Sequence, residues 1–240
     1  MNTRERFIAV VSFALGLTGD QIALILSMWD KSGLLDDPEW DNVPLHCLLV
    51  ALVSKTICQL VKLPYEQAQI AIVAGLLHDI KKQTERKRAG EIVATTGMDQ
   101  SAAFAQAAQE QAAWMQEFGD QFTEEIRVAG LSGHTSLQYF MSEGRSLYEK
   151  IFHIADDLCG DKEIGRRRGD VVVPLETRLA QIRVYYDWMV TEHPPWLDGK
   201  SWIEAQEEVG RQILDELATI AGVGTGDDLN AMLVSLAKID

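Results

Sequence analysis

Residues 44–82 read PLHCLLVALVSKTICQLVKLPYEQAQIAIVAGLLHDIKK. Apolar side chains recur at helical spacing on both sides of Pro64, which interrupts the pattern because proline has no amide hydrogen to donate. The stretch therefore predicts two consecutive helices, one from Pro44 to about Val61 and one from Tyr65 to Ile80. The only extended signal in the chain is the run at 171–173, which is too short to found a sheet. The sequence predicts an all-α fold.

Capping residues and apolar periodicity predict further helices on both sides of this stretch. Lys81–Arg88 is predicted to be a charged connection. Gly90 and Gly97 lower the helix propensity of the segment that follows. The other predicted helices run over residues 20–29, from 99 or 101 to about 119, 123–130, 146–158, 175–190, 202–220, and onward from about 227.

The composition limits the kinds of partner that this chain can bind. It has 240 residues, with 22 Lys+Arg against 36 Asp+Glu and a net charge of −14. Extended nucleic acid and anionic membranes are disfavoured, because both need clustered cations, whereas a small phosphorylated substrate is allowed. A hydrophobic fraction of 47% is typical of a globular protein with a sizeable core.

The cysteines and the N-terminal residues indicate in which cellular compartment the protein is expected. Cys47, Cys58 and Cys159 form no CxxC pair, which favours a reducing, cytoplasmic environment over a disulfide framework. Residues 1–17 resemble a signal peptide, but no small-x-small cleavage site follows and another apolar helix begins directly. We therefore expect a buried N-terminal helix there.

Three of the five histidines fall in apolar helical stretches, where an unpaired imidazole is unfavourable. His46 lies on the apolar stripe of its helix, and His78 is followed by Asp79 at the end of the next helix. Asp156 lies in the apolar segment IADDL, where a carboxylate needs a partner. Imidazoles and carboxylates from separate helices are a common way to hold a divalent metal in a bundle. His153 is expected to pack in the core, His193 to lie in a loop, and Asp157 to be the surface neighbour of Asp156.

A family resemblance rests on four elements in order. They are HCLLVA at 46–51, LLHDIKK at 76–82, GHT at 133–135 and EKIFHIAD at 149–156. The pattern resembles the HD superfamily of metal-dependent phosphohydrolases. Within it, the chain is most similar to the bacterial branch that hydrolyses symmetrical dinucleoside tetraphosphates. The resemblance implies an HD-domain helical bundle over residues 40–165 of a single domain spanning 1–240, with a helical extension of unknown role at 166–240.

The resemblance also implies the roles of individual residues. His46, His78, Asp79 and Asp156 match the metal ligands, and His134 matches the histidine that holds a second ion in two-metal members. Lys82 matches the family lysine that contacts the transferred phosphoryl group, and Asp79 and Lys82 are the candidate catalytic pair. The implied cofactor is one or two divalent ions of Fe, Mn, Mg or Co, which would activate water for attack on phosphorus.

The sequence departs from the family pattern at two points. The residue before the family lysine is usually small, and here it is Lys81. Two-metal relatives have a histidine at the start of the next helix, where this chain has Asp99 and Gln100. A single ion, or a second site completed by a carboxylate, therefore stays open.

Two basic clusters and an aromatic segment are candidates for substrate contacts. The first cluster runs from Lys81 to Arg88, and the second consists of Lys162 with Arg166, Arg167 and Arg168, which are candidate ligands for substrate phosphates. Both could instead be solvated loops. Five aromatic side chains between residues 185 and 202 are expected to pack against the core or a second copy of the chain, as in a homodimer, rather than to stack a base. They are Tyr185, Tyr186, Trp188, Trp196 and Trp202.

The hypothesis from the sequence is a cytoplasmic, metal-dependent phosphohydrolase that acts on a nucleotide or another small phosphorylated compound. One alternative is an HD-type di-iron oxygenase, which needs a fuller set of histidines than this chain has. The other is a module of the same fold that senses a nucleotide without catalysis.

Overall fold

The computed structural model describes residues 2–142, 144–161 and 171–236, without the side chains at 111–114, 116, 119–121 and 135. These residues form α-helices and one short strand pair, so the all-α prediction is confirmed. The helices are α1 (Thr3–Phe13), α2 (Gly19–Ser32), α3 (Asn42–Leu60), α4 (Tyr65–Leu77), α5 (Lys82–Thr96), α6 (Gln100–Gln116), α7 (Gly119–Ala129), α8 (Leu137–Phe140), α9 (Leu147–Leu158), α10 (Leu175–Tyr185), α11 (Asp187–Thr191), α12 (Trp202–Ala221) and α13 (Gly226–Leu236).

Three mutually packed helices, α3, α4 and α9, form the centre of the bundle. The N-terminal helix α1 packs on α3 and buries Phe7 and Val11, while α10 and α12 pack on α9. Helix α3 has the length and mean hydropathy (1.6) of a membrane span, but 61% of that apolar stretch is buried inside the protein. Burial on several sides accounts for its apolar composition, as expected for the core helix of a bundle.

A glycine sets the distance between α3 and α4. A Cβ atom added at Gly75 would lie 2.9 Å from the backbone nitrogen of Ala51 and 3.0 Å from its Cα atom. The two helix backbones therefore touch at this point, and only glycine fits between them. The end of α4 is also fixed from the other side, since the Trp29 indole donates a hydrogen bond of 3.0 Å to the Leu76 carbonyl.

The start of α9 is fixed by a buried carboxylate. Ser146 caps the helix, and its backbone N–H donates to Glu149 at 2.8 Å. Glu149 also accepts hydrogen bonds from Arg127 (2.5 Å) and from the Tyr139 hydroxyl (2.6 Å), and its side chain is only 4% exposed. These bonds connect α9 to α7 and α8.

The structure differs from the sequence prediction in three local features. Residues 82–88, predicted to be a connection, belong to α5, because Lys, Glu, Arg and Gln are good helix formers and Gly90 leaves the helix intact. The predicted helix 175–190 is divided at Tyr186, whose backbone is non-helical (φ −135°, ψ 76°). Val171–Val172 (β2) pairs antiparallel with Cys159–Gly160 (β1).

We expect Gly75→Ala to destabilise the protein by about 1–3 kcal/mol, because the methyl group would force α3 and α4 apart. Gly90→Ala is the matched control, since Gly90 is also helical and has open space around its Cβ position. The control should be neutral or stabilising by up to about 1 kcal/mol. Urea denaturation gives both free energies of unfolding, and equal effects of the two substitutions would contradict the close approach.

The Glu149 network predicts an acid-sensitive component of stability. Burial opposes ionisation, but hydrogen bonds from Tyr139, Ser146 and Arg127 outweigh it and lower the pKa of Glu149 from 4.5 to about 2. The network therefore contributes fully above about pH 4.5, and its contribution is lost as the pH falls through about 2.

In urea denaturation, the stability difference between the wild type and Glu149→Gln should shrink as the pH is lowered from 5 towards 2. Glu66→Gln, the same chemical change at an exposed position, is the control and should show little dependence on pH over this range. A Glu149→Gln effect that stays constant over the whole range would contradict this role of the carboxylate.

Candidate metal centre

Three helices each bring one ligand-type side chain to a single point. His46 lies in the first turns of α3, His78 directly follows α4, and Asp156 lies near the end of α9. Since these three helices form the packed centre of the bundle, the positions of the side chains are fixed by the core itself.

The three side chains are close enough to share one ion. Asp156 Oδ1 lies 3.1 Å from His46 Nε2 and 3.4 Å from His78 Nε2. One ligand atom from each residue lies within 4.8 Å of the other two. We call His46, His78 and Asp156 the metal triad. All three are largely shielded from solvent, with side-chain exposures of 11%, 1% and 14%.

The protonation of His78 suits a metal ligand. Its Nδ1 lies 2.8 Å from the Gly75 carbonyl oxygen, which can only accept a hydrogen bond, so Nδ1 carries the proton. In the neutral ring, Nε2 then has a lone pair, and it is buried without a hydrogen-bond partner. A hydrogen bond from the other ring nitrogen to a backbone carbonyl orients many metal-binding imidazoles in this way. The residues therefore fit a bound cation.

Electrostatics also favours a positive charge at this point. Burial disfavours the imidazolium form of His78, but the Cys47 sulfur and the carboxylates of Asp79 and Asp156 outweigh it and raise the pKa of His78 well above its ordinary value. Burial likewise opposes ionisation of Asp156, and the two histidines overcome it and lower the pKa of that carboxyl. The carboxylate is thus stabilised by hydrogen bonds and positive charge from the two rings, and a divalent ion bound between them would supply positive charge as well.

Asp79 and Lys82 lie at the edge of the triad. Lys82 Nζ donates to Asp79 Oδ1 at 3.0 Å, and Asp79 Oδ2 lies 3.8 Å from His78 Nε2. Burial opposes ionisation of Asp79, but Lys82 and the two histidines outweigh it and hold its pKa at about 2. Asp79 is therefore an anion at neutral pH, with one oxygen bound by Lys82 and the other near His78. It lies outside the ligand group found among the described residues, and its role as a metal ligand stays a prediction.

His134 lines the same cavity as the triad but lies outside the ligand group found among the described residues. Its ring packs edge-on against Trp188 and Trp202, with centroid distances of 4.6 and 5.0 Å. Burial and the charge of Lys82 lower its pKa to about 4, and its buried Nε2 has no hydrogen-bond partner. His134 is thus a neutral ring beside the site, and its role as a ligand to a second ion stays a prediction.

Other candidate residues lie away from the triad. Asp99 and Gln100, which could have completed a second site, are exposed and do not line the cavity. His193 is in a loop, with Nδ1 3.0 Å from the Gly199 carbonyl oxygen. His153 is fully buried against the Phe140 ring, as expected for a packing residue. Arg166, Arg167 and Arg168 lie outside the described residues.

The cavity in front of the triad has a volume of about 430 Å³, and several of its lining residues were not predicted from the sequence. Asp157, expected at the surface, is only 3% exposed, because α12 covers this side of α9 and Gln206 donates to its carboxylate at 2.6 Å. Burial raises the pKa of Asp157. Glu85 from α5 and Arg178 from α10 also line the cavity. The acidic pair in the apolar segment IADDL was the signal in the sequence for Asp157.

Aromatic side chains form part of the cavity wall. Trp40, Phe104, Tyr185, Tyr186 and Trp188 all line it, and Phe104 stacks on Trp188 with a centroid distance of 6.2 Å. Tyr185, Tyr186 and Trp188, which were expected to pack against the core or a second copy of the chain, therefore also line the cavity. Tyr186 faces the cavity at the break between α10 and α11, which periodicity alone did not indicate.

Comparison with known families agrees with this geometry. The family model described as the HD domain matches residues 45–161. Comparison with curated proteins and with solved structures gives no match. The matched segment contains the whole metal triad together with Asp79, Lys82 and His134. Residues 45–161 of this chain are therefore similar to HD domains.

Proposed function

We propose that this chain is a metal-dependent phosphohydrolase that cleaves a phosphoester or phosphoanhydride bond in a small phosphorylated substrate. The observation that carries the proposal is the buried, unpartnered Nε2 of His78, which faces the Asp156 carboxylate beside the Nε2 of His46. HD domains are associated with metal-dependent phosphohydrolysis, and this chain keeps the ligand types that such chemistry needs.

In this proposal the metal triad holds a divalent ion, with Fe, Mn, Mg and Co as the candidates. A divalent ion bound there would supply Lewis acidity, polarising phosphoryl oxygens and lowering the pKa of water. Lys82 neutralises the charge that develops on the phosphoryl group. Its bond to Asp79 keeps the ammonium group at the edge of the triad. Asp79 Oδ2 accepts a hydrogen bond from the attacking water and so orients it towards phosphorus.

A nucleotide is the proposed class of substrate. The cavity of about 430 Å³ falls in the range of small-molecule sites, and its aromatic wall offers surfaces for a base. Dinucleoside tetraphosphates rank first among nucleotides, on the likeness of the motifs at 133–135 and 149–156 to that branch. The net charge of −14 supports the exclusion of extended nucleic acid and of anionic membranes. We place the enzyme in the cytoplasm, in keeping with its three unpaired cysteines.

The two alternative functions have less support. A di-iron oxygenase needs a second group of ligands, and only one group of three was found in the part of the chain that the structure describes. A sensing module without catalysis has no need of Asp79 and Lys82 in contact beside the triad. Oxygen uptake by iron-loaded protein would favour the oxygenase.

We expect metal-dependent phosphate release from purified protein that has been stripped of metal and reloaded with Mn²⁺, Fe²⁺, Co²⁺ or Mg²⁺. The assay set is p-nitrophenyl phosphate, nucleoside mono- and diphosphates, and diadenosine tetraphosphate. His78→Ala and Asp156→Asn should each lose bound metal, measured by elemental analysis. Their kcat/KM should fall at least about a hundredfold. The control is His193→Ala, which changes an exposed loop histidine and should keep the wild-type metal content and kcat/KM.

Thermal unfolding of each variant separates loss of metal from loss of fold, and Asp156→Asn is the more conservative change because it preserves shape. No turnover with any of the four metals, together with full metal retention by a folded His78→Ala, would contradict the proposed function.

A further inference from the structure

Arg86 is a second cation on the same wall of the cavity as Lys82. The two residues are four positions apart on α5, so their Cβ atoms lie about 5–6 Å apart on one helix face. Both line the cavity. Lys82 is paired with Asp79, whereas Arg86 has no ion pair within the residues that the structure describes.

Aromatic groups hold Arg86 in place. Its Nη2 donates a hydrogen bond of 2.5 Å to the Tyr186 hydroxyl. The guanidinium carbon lies 5.8 Å from the Trp40 ring centroid and 5.9 Å from that of Tyr186. Cation–π contacts of this kind orient a guanidinium group without neutralising it. The arrangement therefore presents a fixed cation with unused N–H donors to the cavity.

A planar guanidinium group with free donors suits an oxyanion that accepts two parallel hydrogen bonds. We propose that Arg86, positioned by Tyr186 and Trp40, binds a second anionic group of the substrate, one helical turn from the phosphoryl group at Lys82. The preferred substrates then carry a further phosphate or carboxylate beside the phosphoryl group that is hydrolysed. This inference rests on the proposed function and assigns Arg86 to substrate selection.

Isothermal titration calorimetry with three non-hydrolysable probes, in excess Mg²⁺, tests this subsite. Methylphosphonate carries one anionic group, phosphonoacetate adds a carboxylate, and methylenediphosphonate adds a second phosphonate. We expect the wild type to bind at least one of the two doubly anionic probes about tenfold more tightly than methylphosphonate, which corresponds to about 1.4 kcal/mol. The preferred probe identifies the second group as a phosphate or a carboxylate.

Arg86→Gln should abolish this preference while it changes methylphosphonate binding by less than about twofold. Tyr186→Phe should weaken the preference only in part, because the cation remains but loses its fixing hydrogen bond. Lys87→Gln is the matched control, since it removes one positive charge from the same helix at an exposed position that does not line the cavity. It should keep the wild-type preference.

The inference fails if a folded Arg86→Gln keeps the preference, if Lys87→Gln loses it equally, or if the wild type binds the probes equally or not at all. Failure of the proposed function is a separate result, since it is measured by metal retention and phosphate release. If the protein hydrolyses phosphoesters but Arg86→Gln keeps the probe preference, only the proposed Arg86 subsite is contradicted.

Discussion

The Asp156 carboxylate, buried between the imidazoles of His46 and His78, is the interaction on which the site depends. A buried carboxylate oxygen 3.1 and 3.4 Å from two ring nitrogens is stabilised by N–H donors or positive charge, and a divalent ion between the groups would supply such charge. The fold keeps them together because α3, α4 and α9 are also its packed centre, and the glycine contact between α3 and α4 sets the spacing of the two histidines. The core and the metal centre are therefore built by the same three helices.

The C-terminal helices complete the site. The HD match ends at residue 161, yet Arg178, Tyr186, Trp188 and Gln206 line the cavity in front of the triad. Helix α12 packs on α9, and its Gln206 donates a hydrogen bond to the buried cavity residue Asp157. The break at Tyr186 places that aromatic side chain beside Arg86 of α5. The segment that the sequence left without a role thus forms part of the cavity wall.

Much of the fold and the centre of the site could be predicted from the sequence. Apolar periodicity and Pro64 indicated α3 and α4, and the histidines in their apolar stripes indicated ligands, because unpaired imidazoles are unfavourable there. Periodicity could not indicate that α12 covers Asp157 or that the chain breaks at Tyr186, since both depend on packing between distant segments. The predicted connection at 82–88 is wrong because its charged residues are also good helix formers.

The most direct test of the account is the anomalous scattering of crystals grown with Mn²⁺. We predict an anomalous peak in direct contact with Nε2 of His46, Nε2 of His78 and the carboxylate of Asp156, with the Nδ1 hydrogen bond of His78 to the Gly75 carbonyl intact. A second peak near His134 would add an ion without changing this result. A map with no peak at the triad, at Mn²⁺ concentrations that saturate the protein in solution, would contradict the central claim.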